Sequence, residues 1–310
     1  MQKKISIIVP CFNEQEVICQ TYEKLIETDF GPYDVEYIFV DDGSSDNTRE
    51  ILRGFAAENK EVKLVLFLRN FGHQAAVSAG MKEATGDAAV IIDADLQDPP
   101  EVIIEMLARW EEGYDIAYGK RVKRKGENLF KKVTAWGYYR LLGMLGGSYI
   151  PRDTGDFRLI DRKVLDFLNA LSEKNRFLRG LTAWAGFKSI PVEYVRDPRA
   201  AGETKYTLKK MLRLAEDGIT AFSDKPLKIS FSLGICVAIL SVIHLLTSII
   251  LGIMGILPVY HVLCSIITLL LGGVFICIGI MGMYVSRIYD EVKARPMYLV
   301  AEKINIGEEA

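Results

Sequence analysis

A long uncharged segment constrains the fold of this chain more than any other feature of its sequence. No Asp, Glu, Lys or Arg occurs from Ile229 to Ser286, a run of 58 residues within a chain of 310. A bilayer core about 30 Å thick needs about 20 helical residues for each crossing. The segment is therefore too long for one transmembrane helix and has the length of two helices joined by a turn.

The turn is expected near the middle of the segment, at Gly252, Gly255 and Pro258. We predict two transmembrane helices within 228–286, over roughly 228–251 and 262–285. The alternative is a buried helical hairpin of a soluble protein. Core helices normally keep a polar stripe, however, and this segment has no charged one.

Positive charges flank the predicted hairpin and are absent from its turn. The flanking basic residues are Lys225, Lys228, Arg287, Lys293 and Arg295. Because segments rich in Lys and Arg stay on the cytoplasmic side, we predict a multi-pass protein of the plasma (inner) membrane with both termini in the cytoplasm. The apolar run near the N-terminus stops at Pro10 and is too short for a signal peptide.

Outside the hairpin the composition is that of a folded, charged domain. The whole chain has 38 Lys and Arg against 40 Asp and Glu, and 50% of its residues are apolar. This apolar content excludes an intrinsically disordered protein. The near-neutral balance argues against a nucleic acid partner held by bulk charge. The five cysteines form no CxxC pair or other metal-binding spacing.

Short apolar runs alternate with amphipathic stretches over residues 1–225. The apolar runs predict strands at 5–9, 37–40, 62–68, 88–92 and 116–119. Helical spacing is found between them, over 13–28, 46–58, 73–84 and 99–112. This order predicts an α/β fold with a mainly parallel sheet and helices on both faces. In such sheets ligands bind beyond the carboxyl ends of the strands.

The loops after the first four predicted strands are all polar. They carry residues 11–14, 41–46, 69–74 and 93–98. One such loop is equally well explained as ordinary turn chemistry, but four at one sheet edge favour a ligand site. No GxGxxG motif or Walker A loop is present in the sequence, so the usual dinucleotide and P-loop sites lack their phosphate-binding element.

Asp93 and Asp95 are the chemical centre of these loops. Residues two apart in an extended segment point to the same side, so both carboxylates can face one ligand. Mg²⁺ and Mn²⁺ prefer oxygen ligands, and Mg²⁺ is often held by one or two carboxylates plus substrate phosphates. The pair therefore suits a metal–diphosphate substrate. The alternative is a helix cap or a solvated loop.

Two basic stretches follow the predicted sheet strands. Residues 119–132 contain seven basic residues and one acidic residue, and a second stretch runs from Arg196 to Arg213. A solvated basic face is one explanation. We favour contact with anionic headgroups and with a lipid phosphate. Apolar residues spaced through 206–222 predict an amphipathic helix at the membrane interface, assigned to 205–227.

Six segments of the sequence resemble glycosyltransferase family 2. They lie at 10–14, 40–46, 69–73, 93–99, 154–159 and 199–205. The closest resemblance is to the polyprenyl-phosphate branch, which includes dolichyl-phosphate mannose synthases and bacterial undecaprenyl-phosphate glucosyltransferases. It covers nearly the whole chain and implies the GT-A fold. The implied domains are a cytoplasmic catalytic domain over 1–204, the helix at 205–227, the hairpin at 228–286 and a cytoplasmic tail at 287–310.

The resemblance also implies roles for individual residues. The nucleotide-sugar donor would be contacted by Pro10, Phe12, Asn13, Glu14, Asp41, Asp42 and Asp93. Asp95 would hold a divalent metal ion, Mg²⁺ or Mn²⁺, on the donor diphosphate, with Gln97 close to the sugar. Asp156 matches the position often taken as a catalytic base. Phosphate groups of donor or acceptor would lie near Arg121, Lys132, Arg199 and Lys205.

The acceptor chemistry bears on the role of Asp156. A phosphate monoester has a second pKa near 6, so a lipid monophosphate is largely ionised at pH 7 and needs little help from a base. We therefore expect Asp156 to orient the acceptor or a bound cation, and to take up a proton at lower pH.

The activity implied is inverting transfer of glucose from UDP-glucose to undecaprenyl phosphate, giving a β-linked lipid-phosphate sugar. GDP-mannose, UDP-N-acetylhexosamines and UDP-aminoarabinose derivatives stay open as donors. A processive polysaccharide synthase would carry Gln-x-x-Arg-Trp, but Met106 takes the place of that Gln before Arg109-Trp110. An inactive membrane scaffold would have lost the Asp93 and Asp95 pair. The resemblance further implies a homo-oligomer, a tetramer in our interpretation.

Overall fold

The chain forms two compact units, one built on a β-sheet and one made of the two long apolar helices. The computed structural model describes residues 2–121, 154–174, 176–195, 225–254 and 259–307. Among the sequence predictions, Lys132, Arg199, Lys205 and most of the helix assigned to 205–227 lie outside these residues.

The strands and helices follow the predicted alternation closely. The strands are β1 Lys4–Cys11, β2 Asp34–Asp41, β3 Val62–Phe67, β4 Ala88–Ile91, β5 Ile116–Arg121, β6 Thr154–Asp161, β7 Ser189–Tyr194 and β8 Val300–Ile304. The helices are α1 Ile18–Glu27, α2 Thr48–Glu58, α3 His73–Glu83, α4 Val102–Glu111, α5 Arg162–Ala170, α6 Leu178–Trp184, α7 Lys225–Ile253 and α8 Val259–Val292.

All eight strands belong to one sheet, in the order β7-β5-β6-β4-β1-β2-β3-β8. Strands β1 to β4 run parallel to one another, and β7 runs parallel to β5. Strand β6 is antiparallel to both of its neighbours, and β8 is antiparallel to β3. The α/β fold with a mainly parallel sheet is thus confirmed, and the reversed strands are β6 and β8.

The sheet core explains why the apolar runs read as buried strands. Residues 5–11 of β1 and all of β4 are buried, because helices cover both faces of a parallel sheet. The covering helices are amphipathic: α2 buries Leu52 and Ala56. The side chains of Glu50 and Arg53, on its other side, are 64% and 40% exposed. This packing fixes the strand ends, and the loops that follow them meet at one edge.

A buried carboxylate stabilises the opposite edge, where the strands begin. Glu36 of β2 is fully buried and accepts hydrogen bonds from Ser6 and Thr85. Its Oε2 also lies 2.8 Å from the Nζ atoms of both Lys4 and Lys63. Burial alone would raise the pKa of Glu36, but these partners outweigh it and lower the pKa to about 2.

Strand β8 gives regular structure to part of the segment predicted as a cytoplasmic tail over 287–310. Helix α8 continues to Val292, and β8 then joins the sheet edge beside β3. Tyr298 stacks on Phe67 of β3, with ring centroids 4.9 Å apart, and Asn305 donates to the carbonyls of Ala56 and Val62. The chain from Pro296 onward is therefore part of the sheet unit.

The second unit consists of α7 and α8, with 29 and 34 residues. Both predicted spans fall inside these helices. Within them, residues 235–253 and 269–292 are long and apolar enough to cross a membrane, and neither window is buried inside the protein. The described side chains include many exposed large apolar residues, among them Ile243, Leu246 and Phe275. By length and composition these helices are candidates for membrane spans.

Candidate active site

The four polar loops meet at the edge of the sheet where β1 to β4 end. We call them the first loop (12–17), the second (42–47), the third (68–72) and the fourth (92–101). In the first loop, Asn13 has a positive φ of 54° and accepts a hydrogen bond from Ser45 N of the second loop at 2.8 Å. Asn13 N in turn donates to Ser44 Oγ. The two loops are therefore held as one surface.

The residues predicted to contact a nucleotide divide into accessible and buried ones. Phe12, Asn13 and Glu14 are partly exposed at the first loop. Pro10 lies one residue inside the end of β1 and is buried. The residues accessible to a nucleotide therefore begin at Phe12, while Pro10 lies within the buried strand.

Asp41 and Asp42, which are predicted to contact the nucleotide, are both engaged by partners within the chain. Asp41 is fully buried and pairs with Arg49 Nε at 2.6 Å. Asp42 is 3% exposed and accepts hydrogen bonds from the backbone N–H groups of Phe71 and Gly72. Burial raises the pKa of Asp42 despite these bonds. These carboxylates hold the second and third loops in place.

The fourth loop presents its polar residues as the spacing predicts. Asp93, Asp95 and Gln97 are partly exposed, whereas the residues between them, at 94 and 96, are buried. Asp95 Oδ1 accepts a hydrogen bond from Gln97 N at 3.2 Å, and Leu96 adopts a positive φ of 56°. The loop thus turns three polar side chains toward solvent at the sheet edge.

The carboxylates of Asp93 and Asp95 fit a divalent metal ion whose coordination is completed by a substrate. In the described residues no group of three or more His, Cys, Asp or Glu side chains forms a complete metal site. Carboxylate oxygens at Asp93 and Asp95 are the hard ligands that Mg²⁺ and Mn²⁺ prefer. One or two carboxylates are enough when substrate phosphates complete the coordination.

Asp156 lies in a cluster that links three separate parts of the sheet unit. Arg179 of α6 donates to Asp156 Oδ1 from Nε at 2.7 Å and to Oδ2 from Nη2 at 2.9 Å. His73 Nε2 lies 3.3 Å from Asp156 Oδ2 and 3.7 Å from Asp93 Oδ1. Gln74 Nε2 also donates to Asp156 Oδ2, at 3.3 Å. We call these residues the Asp156 cluster.

Charges alternate along the cluster, from Asp93 through His73 and Asp156 to Arg179. Burial alone would raise the pKa of Asp156, but Arg179 and His73 hold it well below its usual range. Burial alone would lower the pKa of His73, but Asp156 and Asp93 raise it to about 9. Asp156 is therefore an ionised partner of two cations. The expected uptake of a proton at lower pH is not favoured in this setting.

Arg121, predicted to lie near phosphates, is held below the fourth loop. Its Nε donates to Tyr194 Oη at 3.2 Å, and its Nη2 lies 3.8 Å from Asp98 Oδ1. Tyr194 Oη donates a short hydrogen bond to the same Asp98 oxygen. The Arg121 side chain is only 14% exposed, and through its contacts with Tyr194 and Asp98 it supports the loop that carries Asp95. Arg121 is therefore placed at the site but faces partners within the chain.

Sequence reasoning missed Arg179 and gave His73 no role of its own. His73 lies in a segment that carries the family resemblance, so its position was visible. Arg179 belongs to no motif, and its partner lies 23 residues away along the chain. Only the packing of α6 beside β6 brings it to Asp156.

Comparisons with known proteins identify the family of the chain. Residues 6–168 match the family described as glycosyl transferase family 2. This chain belongs to that family. The match includes all four loops and Asp156, so the described site residues from Phe12 to Asp156 lie inside the family domain, and Arg179 lies beyond it.

Full-length relatives extend the similarity beyond the family domain. The chain is 50% identical over 304 residues to an uncharacterized glycosyltransferase, YkcC, of Bacillus subtilis, covering 97% of this chain and 94% of that one. It is 40% identical over 303 residues to the bactoprenol glucosyl transferase of Shigella phage SfX, covering 97% and 99%. The matched regions therefore include the residues of the C-terminal helices as well as those of the sheet.

Solved structures confirm the GT-A-like fold. Glucosyl-3-phosphoglycerate synthase from Mycobacterium tuberculosis, crystallised with Mn²⁺, UDP and phosphoglyceric acid, matches with a TM-score of 0.51 and 18% identity. The match covers 70% of this chain and 76% of that one. At this identity the likeness concerns the fold alone.

Proposed function

We propose that this protein transfers glucose from UDP-glucose to a polyprenyl phosphate, with undecaprenyl phosphate as the acceptor. The observation that carries the proposal is the row of accessible polar residues Asp93, Asp95 and Gln97 at the sheet edge. It is supported by 40% identity over 97% of the chain to a bactoprenol glucosyl transferase. The products would be UDP and a β-linked polyprenyl glucosyl phosphate.

The donor would bind across the first and fourth loops. Phe12, Asn13 and Glu14 line the accessible side of the first loop and would receive the nucleoside. Asp95 would hold a divalent metal ion, Mg²⁺ or Mn²⁺, and Gln97 and Asp93 would lie beside the sugar. When bound, the ion neutralises charge on the departing diphosphate. Asp98, Tyr194 and Arg121 would keep the fourth loop in position.

The reaction is a single displacement at the anomeric carbon. An oxygen of the acceptor phosphate forms a bond to C1 as the bond from C1 to the UDP oxygen breaks, and UDP leaves as an anion. Attack from the face opposite the leaving group converts an α-linked donor into a β-linked product. The acceptor is already ionised near pH 7, so no proton has to be removed. Asp156 would therefore orient groups around the acceptor.

The membrane orientation is supported by the connectivity of the chain. Strand β7 precedes the two long helices and β8 follows them, yet both lie in one sheet. A folded sheet stays on one side of a membrane, so the intervening chain must cross an even number of times. Two crossings meet this condition, and the flanking Lys and Arg residues favour a cytoplasmic location for the sheet. A homo-oligomer, a tetramer by resemblance, stays a prediction.

A donor panel tests the proposal. The full-length protein in detergent would receive radiolabelled UDP-glucose, UDP-N-acetylglucosamine or GDP-mannose, together with undecaprenyl phosphate and Mn²⁺. Labelled lipid from UDP-glucose is the expected result. If only another donor gives labelled lipid, the sugar named in the proposal is wrong and that donor's sugar takes its place. If no donor gives labelled lipid, the proposed function is contradicted.

A further inference from the structure

We propose that Arg179 binds the phosphate of the lipid acceptor and that Asp156 is the positioning residue that aims it. This inference rests on the proposed function, because it assigns the acceptor of that reaction to a place in the site. It gives Asp156 a task other than proton removal, and it adds a residue that lies outside the matched family domain.

The reaction needs a cation where the acceptor phosphate arrives. Donor diphosphate and acceptor phosphate are both anions, so their approach is unfavourable unless fixed positive charge separates and orients them. The acceptor must also lie on the side of the sugar away from the diphosphate. The diphosphate would lie at Asp95, so the acceptor cation belongs beyond the sugar from that residue.

Two of the arginines near the site are committed to structural partners. Arg158 is 4% exposed and donates to the carbonyl of Gly155 and to Thr182 Oγ1. Burial lowers the pKa of Arg158 to about 10, which marks it as an interior group. Arg121 is held by Tyr194 and Asp98 below the fourth loop. Both side chains are less exposed than that of Arg179.

Arg179 is placed differently, because a quarter of its side chain is exposed while its guanidinium is held in a fixed plane. The two hydrogen bonds to Asp156 at 2.7 and 2.9 Å form a bidentate pair. Such a pair fixes the direction of the guanidinium as well as its distance, and because it occupies the Nε and Nη2 edge, a phosphate would approach from the Nη1 side. Asp156 is itself 6% exposed, so it serves as a rigid internal anchor.

The surrounding contacts fix where Arg179 lies relative to the donor loops. Gln74 Oε1 accepts from Leu178 N at 3.2 Å while its Nε2 donates to Asp156, which ties the start of α6 to the start of α3. His73 stands between Asp156 and Asp93. Arg179 is therefore the last residue in a chain of contacts that runs from Asp93 through His73 and Asp156.

The assignment predicts separate effects on donor and acceptor. The full-length protein in detergent would be compared with Arg179→Gln, Arg179→Lys and Asp156→Asn variants, using UDP-glucose, Mn²⁺ and a concentration series of undecaprenyl phosphate. Arg109→Gln is the matched control, since Arg109 pairs with Glu105 and Glu112 on the exposed face of α4. Calorimetry with UDP and Mn²⁺ would measure the donor site independently.

We expect Arg179→Gln and Asp156→Asn each to raise the acceptor KM by about tenfold or more, with UDP affinity within about twofold of wild type. Arg179→Lys, which keeps the charge and loses the fork, should fall between Gln and wild type. An unchanged acceptor KM in Arg179→Gln and Arg179→Lys would overturn the inference. So would a loss of kcat at constant acceptor KM in Asp156→Asn, as a general base predicts.

The design separates this inference from the proposed function. If wild-type protein makes no labelled lipid, the proposed function fails. If wild type is active and the Arg179 variants keep its acceptor KM, the inference alone fails. If Arg179→Gln also loses UDP binding, the Arg179→Lys variant decides. An acceptor KM above that of wild type, with normal UDP affinity, supports the assignment. An acceptor KM equal to that of wild type refutes it.

Discussion

His73 Nε2 lies 3.3 Å from Asp156 Oδ2, and this contact joins the start of α3 to strand β6. The same nitrogen lies 3.7 Å from Asp93. One imidazole therefore connects the fourth loop, where we place the donor, to the residue often taken as a base in related enzymes. The cluster behaves as an ion-pair network, and its charges decide what Asp156 can do.

The first prediction concerns the protonation of His73. Burial alone would lower the pKa of His73, but Asp156 and Asp93 outweigh this effect and raise the pKa to about 9. In the Asp156→Asn variant without ligands, we expect the midpoint to fall well below 9, because the main partner has lost its charge. Nuclear magnetic resonance titration of the imidazole measures it, with His73→Gln assigning the signal. An identical midpoint in wild type and Asp156→Asn would contradict the network.

A second prediction concerns Glu36 and acid stability. Its folded pKa of about 2 lies below the ordinary value of 4.5, so the carboxylate stabilises the fold above pH 4.5 and this stabilisation is lost as pH falls toward 2. The shift corresponds to about 3 kcal/mol. Glu36→Gln should lower the free energy of unfolding at pH 7 by a similar amount and flatten its dependence on pH between 5 and 2.

The control for Glu36 is Glu61→Gln. Glu61 approaches the same Lys4 Nζ, at 3.9 Å, but its side chain is 60% exposed. An exposed pair contributes at most about 1 kcal/mol. Thermal unfolding of the full-length protein in detergent, followed at several pH values, compares the two. Equal losses in the two variants would refute the assignment of acid stability to the buried network.

A third prediction uses two glycines that differ in their surroundings. Gly43 of the second loop has a φ of 72°, and a Cβ there would overlap the backbone of Arg69 and Asn70. Gly43→Ala should therefore destabilise the protein by at least about 2 kcal/mol and disturb the second and third loops. Gly54 lies at an exposed position of helix α2 with open space around it. Gly54→Ala should therefore stabilise the protein by about 0.5–1 kcal/mol. A Gly43→Ala melting temperature equal to that of wild type would show that the close approach is mistaken.

The fourth prediction concerns the fourth loop and its metal. Asp95→Asn should weaken UDP binding in the presence of Mn²⁺ by about tenfold or more, because a carboxylate ligand is lost. Asp166→Asn, whose side chain is 63% exposed on α5, is the matched control and should bind normally. Calorimetry with and without Mn²⁺ makes the comparison. Normal UDP–Mn²⁺ affinity in Asp95→Asn would rule out our metal assignment.

Local sequence patterns were enough to predict most of the sheet and the exposure of the fourth loop. The four apolar runs before the polar loops are all strands, because a parallel strand buried on both faces must be apolar throughout. The alternation at Asp93, Asp95 and Gln97 followed from the two-residue period of extended chain. Both predictions depend on residues that are neighbours in sequence.

What the sequence did not reveal depends on distant contacts. Strand β8 contains two charged residues among five, so its pattern does not resemble a core strand, and its partner β3 lies more than 200 residues earlier. Asp41 and Asp42 occupy loop positions that suit a ligand equally well. Their burial follows from Arg49 and from the third loop folding over them. Arg179 reaches Asp156 only through the packing of α6.

The most direct test of the account is the anomeric configuration of the sugar in the lipid product. The full-length protein would be supplied with UDP-glucose, undecaprenyl phosphate and Mn²⁺, and the purified lipid analysed by mass spectrometry and by the proton coupling at the anomeric carbon. A β-linked polyprenyl glucosyl phosphate is the predicted result. An α-linked product, or glucose released to water without any lipid product, would contradict inverting transfer to the lipid phosphate.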